Sequence, residues 1–151
     1  MALPRALCGG FPRAQYRALE LHDSKVLSVT PSATEVLIRL EAMVHMSTGV
    51  PAQDLGTIWV QELELRVLRG VVELSPPSGV LWITDGMIEV GALAFEEFPF
   101  ELENLEPTRI DVVGGEGKLI VTGAGLKMSA RGEPRFLERF DPRHPSPDNT
   151  R

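Results

Sequence analysis

The chain has almost no cysteine; Cys8 is the single one. One thiol cannot close an intramolecular disulfide, and it excludes a cysteine-rich zinc site. Histidine is nearly as scarce, with only His22, His45 and His144. No run approaches the ~18 apolar residues that a membrane-spanning helix needs. Pro4 and Arg5 leave no apolar stretch of signal-peptide length in Met1–Cys8, and Leu7-Cys8 makes a poor lipoprotein site for the same reason. These absences predict a cytoplasmic protein. Also missing is any clear amphipathic helix of about 12 residues or more.

What is present is acid, unevenly placed. The net charge is −6. It argues against a general nucleic-acid binder, which needs a basic patch to neutralise phosphates. Residues 18–130 carry seven Lys or Arg against seventeen Asp or Glu, a net of −10. Residues 1–17 hold Arg5, Arg13 and Arg17 and no acid, and residues 131–151 hold five Arg against four acids. Those terminal arginines read as solvated tail residues rather than a nucleic-acid site. The acid peaks at Glu96, Glu97, Glu101, Glu103 and Glu106.

A chain of 151 residues is about one domain. Residues 1–16, with Pro4, Gly9, Gly10 and Pro12, read as an irregular leader with room for a helical turn at Ala14–Leu19. Residues 141–151 hold three prolines and no large apolar residue, which predicts a disordered tail. Residues 17–140 form the expected domain.

Its signal is β. Val36, Ile38 and Leu40 alternate with Leu37, Arg39 and Glu41. Trp59, Gln61, Leu63, Leu65 and Val67 alternate with Val60, Glu62, Glu64, Arg66 and Leu68. A period of two marks a sheet with one buried face. Val80–Ile83 and Met87–Val90 flank Thr84-Asp85-Gly86, a hairpin signature, because Asp-Gly accepts the positive φ of a primed turn. A second hairpin joins Arg109–Val113 to Lys118–Thr122 through Gly114-Gly115-Glu116-Gly117. Gly123 and Gly125 precede Leu126–Ala130, and Pro134–Phe140 makes a last short strand. The whole is a mainly β, single antiparallel sandwich or barrel of about eight to ten strands with little helix. Trp59 and Trp82 belong to the core or a sheet face.

Motifs for chemistry are sparse. On a regular strand, His22 and Ser24 share a face and Asp23 takes the other. A serine hydrolase would need an orienting third group, Asp54 or Asp85, and no Gly-x-Ser-x-Gly elbow is present. The alternative is that His22, Asp23 and Ser24 cap a strand start through local bonds to backbone. His22, His45 and Asp54, with Asp23, are the metal candidates, but their separations match no compact ligand motif. The competing reading has His45 ending a strand and bonding across the loop through Ser47. Gly114–Lys118 lacks the first glycine of a phosphate loop, where Val112 stands, and Leu119 replaces its Ser or Thr. Gly123-Ala124-Gly125 lacks the third glycine of a dinucleotide fingerprint. No cofactor is expected.

Leu19–Val29, followed by a strand at Glu35–Val44 and the His-x-Ser-x-Gly turn at His45–Gly49, resembles small bacterial β-protein families. Their opening strand carries His-Asp-Ser/Ala, and some are immunity proteins of contact-dependent toxin systems. The resemblance covers residues 19–65. It implies an antiparallel β fold in bacterial cytoplasm and no catalytic residues.

The leading expectation is therefore a non-catalytic protein-interaction module, possible immunity function included. It would bind a basic protein partner through Glu96, Glu97, Glu101, Glu103 and Glu106, or through the 45–58 loop with His45, Ser47 and Asp54. Neither nucleic acid nor membrane is an expected partner. The alternatives are a metal-dependent or hydrolytic enzyme using His22, His45 and Asp54, and a β-barrel that holds a small ligand in its interior.

Overall fold

The computed structural model describes residues 16–50, 53–95, 97–99 and 103–143. Side chains at 16 and 93–102 are left aside. Among the described residues twelve strands run in chain order: β1 Tyr16–Pro31, β2 Glu35–Ser47, β3 Gly56–Leu68, β4 Val71–Leu74, β5 Leu81–Trp82 and β6 Asp85–Val90. They continue as β7 Leu93–Phe95, β8 Glu97–Pro99, β9 Glu103–Asn104, β10 Thr108–Gly114, β11 Gly117–Gly123 and β12 Gly125–Phe140. All pairings are antiparallel. No described residue is helical, so Tyr16–Leu19 are strand and not the expected helical turn. The predicted leader up to residue 15, and the tail from 144 onward, lie outside the described residues.

The strands form two sheets. The larger has the order β5-β1-β2-β3-β12-β9, with β8 also on the free side of β1. The smaller has the order β4-β11-β10-β6-β7. This is a sandwich, not a closed barrel. One core joins them: Leu19, Val26, Ile38, Leu40, Leu63 and Leu65 from the larger sheet pack with Ile88, Ile110, Val112, Leu119 and Val121 from the smaller. Each fully buried aliphatic side chain contributes about 1.5–3 kcal/mol.

The alternation read from residues 36–41 and 59–68 sets which face turns inward. In β2, Val36, Ile38, Leu40, Ala42 and Val44 are buried in strict alternation. The hairpin at 109–122 also forms, closing on the Gly114–Gly117 pair. The expected hairpin at 80–90 does not. Leu81 and Trp82 pair with β1 in the larger sheet, whereas Asp85–Val90 pair with β10 in the smaller one. Asp85 and Gly86 therefore begin a strand instead of closing a turn. The chain crosses between sheets here because Gly114 lets β10 meet β5; a Cβ at Gly114 would overlap the Trp82 carbonyl oxygen. That approach is long-range, and local turn chemistry cannot reveal it.

The larger sheet is coiled. On a flat sheet, β8 and β9 would lie about 24 Å apart, five strand spacings. Only four peptide steps, at most ~15 Å, join Pro99 to Glu103. The two edges must therefore approach each other.

Candidate functional site

The sheet's chemistry begins with a bulge in β1. Glu20 pairs with Met43 and Lys25 with Glu41, so four residues, 21–24, oppose Ala42 alone. Asp23 absorbs the excess with φ 72°, a left-handed conformation that Asp tolerates better than most residues. The bulge breaks the expected alternation. His22 and Asp23 are both exposed, while Ser24 is fully buried. His22 Nδ1 stands 3.0 Å from the Asp23 carboxylate. Ser24 Oγ donates to the Glu20 carbonyl at 2.6 Å and accepts from the Met43 N–H at 2.9 Å. The hydroxyl is committed to backbone, as the local-bond reading expects, but in mid-strand rather than at a strand start.

His45 is also buried, at 4% exposure. Its Nε2 meets Glu20 Oε2 at 2.5 Å, and its ring stands edge-on to Phe140 at 5.2 Å. It does not reach across the loop through Ser47. Ser47 Oγ instead donates to the Leu55 carbonyl and accepts the Gly49 N–H. Asp54 accepts the Val50 N–H at 2.6 Å. Ser47 and Asp54 thus tie the β2–β3 connection to itself. Among the described residues no three His, Cys, Asp or Glu side chains gather to hold a metal ion. His22, His45 and Asp54 are accordingly not one site.

The glutamate strip is divided. Glu97 lies in β8, beside β1. Glu103 lies in β9, beside β12 at the other edge of the same sheet, with its carboxylate 3.7 Å from Lys127 Nζ. Glu106 is exposed beyond β9. Glu96 and Glu101 fall outside the described residues.

On the outer face of the larger sheet, three acids are matched by arginines, while Glu41 has no ion pair among the described residues and lies opposite Glu62. Arg39 meets Glu62 at 2.7 Å and Arg66 meets Glu35 at 2.5 Å. Glu64, 7% exposed, lies between Arg66 at 3.1 Å and Arg131. The Arg131 hydrogen bond, with the charges of both arginines, holds the Glu64 carboxyl below the usual carboxylate range although burial opposes this. Arg131 is therefore a sheet residue and not a tail cation. Arg135 and Arg139 likewise belong to β12, paired with Val60 and Thr57.

The smaller sheet differs. Its outer face has an open depression of about 320 Å³ lined by Asp85, Met87, Glu89, Asp111, Val113 and Lys118. The register places Met87 opposite Asp111 and Asp85 opposite Val113. Lys118 and Arg109 both reach Asp111, at 3.3 and 3.5 Å. Arg109 also meets Glu73 at 3.3 Å. Among the described residues Asp85 bonds only the Gly86 N–H; Glu89 is exposed and, although it lies opposite Arg109 in the ladder, Arg109 is engaged by Glu73 and Asp111. Trp82, 52% exposed, stands nearby with Lys25 Nζ 4.8 Å from its ring centre. Trp59, in contrast, is half-buried against Phe136.

Sequence reasoning did not single out Asp85, Glu89 and Asp111 as a group. Alternation within residues 85–89 and 109–113 places each set on one face. Their union depends on the β6–β10 pairing, which no local pattern within residues 80–90 announces. Comparison with protein-family models, curated proteins and solved structures returned no match. No helix among the described residues is long and apolar enough to cross a membrane.

Proposed function

We propose that this chain is a non-catalytic protein-interaction module of the cytoplasm that presents the outer face of its smaller sheet to a basic partner. One observation carries the reading: on the outer face of the smaller sheet Asp85 and Glu89 stand exposed beside Asp111, with no ion pair to either among the described residues. Clustered like charge steers an oppositely charged partner and selects against like-charged ones. The carboxylates are spread over β6 and β10 instead of converging, which suits a surface bearing several cations better than one ion. The sharpest form of the proposal is an immunity-type role, in which the acidic face covers the basic site of a nucleic-acid-cleaving partner by standing in for phosphate charge.

The test uses a ten-residue arginine peptide as probe, titrated at low and at about 0.5 M salt, where screening shortens to a few ångströms. Asp85→Lys with Glu89→Lys should abolish binding. Glu41→Lys with Glu62→Lys, on the other sheet, should leave most of it. An affinity indifferent to salt, or equal losses in both variants, rejects the proposal.

A further inference from the structure

The bulge in β1 has a counterpart three strands away. Arg131 pairs with Glu62 and Arg135 with Val60, so residues 132–134 oppose Gln61 alone. Gly132 takes φ 69° there, a conformation that costs glycine little. Ala42 and Gln61 are themselves direct partners in the β2–β3 ladder. These two larger bulges therefore lie at one level on the two flanking strands, unlike the one-residue shifts at Val26/Ser28 and Phe136/Glu138, while the ladder between β2 and β3 runs through unbroken. Extra residues on both sides of one level make a line along which a sheet turns a corner.

The side chains on that line fit a corner. Ala42 is small and fully buried. Ser24 clamps one bulge by its two backbone bonds. Gln61, 5% exposed, clamps the other by donating Nε2–H to the Gly132 carbonyl at 2.9 Å. Its Oε1 is buried without a partner, and such a group weakens the packing around it.

Beyond the line lie residues 16–20, 43–47, 56–60 and 135–140. They carry contacts of their own, the Glu20–His45 pair, His45 on Phe140 and Trp59 on Phe136, while Leu19 and Val44 also belong to the common core. Residues 42–46 and 58–60 are apolar on both faces of the sheet apart from His45, unlike residues 35–41 and 62–68, whose outer face is charged. We infer that this distal part of the larger sheet is a lobe that opens as one unit about the Ala42–Gln61 line, while the proximal part stays locked to the smaller sheet. Local openings of this kind follow units with their own contacts and an interrupted ladder. The inference is independent of the acidic face.

Native-state hydrogen exchange on the full chain tests it with one variant in each bulge. Ser24→Ala removes the clamp in β1 and leaves the Met43 N–H without its acceptor. Gly132→Ala forces a side chain into a left-handed conformation in β12. Each variant should speed exchange across all four distal segments by a common factor, roughly tenfold. Exchange at 36–40 and 63–67 should stay unchanged. Equal acceleration in both halves of the strands would overturn the inference, because the sheet would then open as a whole. Acceleration confined to the substituted strand would also overturn it, because the line would not couple the two bulges.

Discussion

Glu64 shows how single side chains on the larger sheet neutralise one another. It is buried on an outer face, yet it accepts from guanidinium groups on its own strand and on β12. Its lowered carboxyl value has a definite consequence for pH. A depressed carboxylate stabilises the fold fully above the unfolded value, near 4.3, and that stabilisation is lost as pH falls through the lower folded value. Glu64→Gln should therefore cost about 1–2 kcal/mol at pH 7, at the modest end because both arginines are well exposed. The gap between variant and parent should close below about pH 4, as measured by urea unfolding across pH. A gap that persists at pH 2 would mean the glutamate acts through packing alone. Residue-scale expectation failed at Asp23 for a related reason. Alternation is a property of regular strands, and one left-handed residue moved Ser24 into the core and left His22 in solvent.

At the scale of elements, the β10–β11 hairpin is the part that local reading captured best. Its turn residues, its flanking apolar alternation and its register all follow from residues 109–122. The finer geometry is a matter of position. Gly117 takes φ 139°, where a side chain is strained. Gly115 has neither a positive φ nor any atom within 4 Å of an added Cβ. Gly117→Ala should lower stability by about 1–3 kcal/mol, and Gly115→Ala should be nearly neutral in the same thermal or urea unfolding assay. The reverse order would contradict the described turn. Residues 80–90 misled because Asp-Gly is a strong local turn signal that tertiary pairing overrode here. The choice was made by tertiary contact, with β5 held to the β10–β11 end by the bond from the Trp82 N–H to Glu116 at 2.7 Å. Sequence periodicity also announced the inner faces of β2 and β3, but not the bulges opposite Ala42 and Gln61. Those rest on extra residues in β1 and β12.

The whole molecule separates two kinds of surface. An acid-rich middle is visible in the sequence, but its meaning depends on which acids, among the described residues, form ion pairs with arginines. Glu35, Glu62 and Glu64 do, through strands that are distant in the chain. Asp85 and Glu89 do not, and they join Asp111 only through sheet pairing. The glutamates at 97 and 103, close in sequence, fall on two different edge strands, β8 and β9, of the larger sheet. The proposed surface is instead a sheet face, assembled by strand pairing rather than by a run of like residues. The direct measurement is a backbone NMR titration of the full chain with the ten-residue arginine peptide at low salt. The account predicts shift changes concentrated at residues 85–89, 109–113 and 118, fading as salt is raised. Changes centred on the outer face of β2, β3 and β12, or a pattern that persists unaltered at high salt, would contradict it.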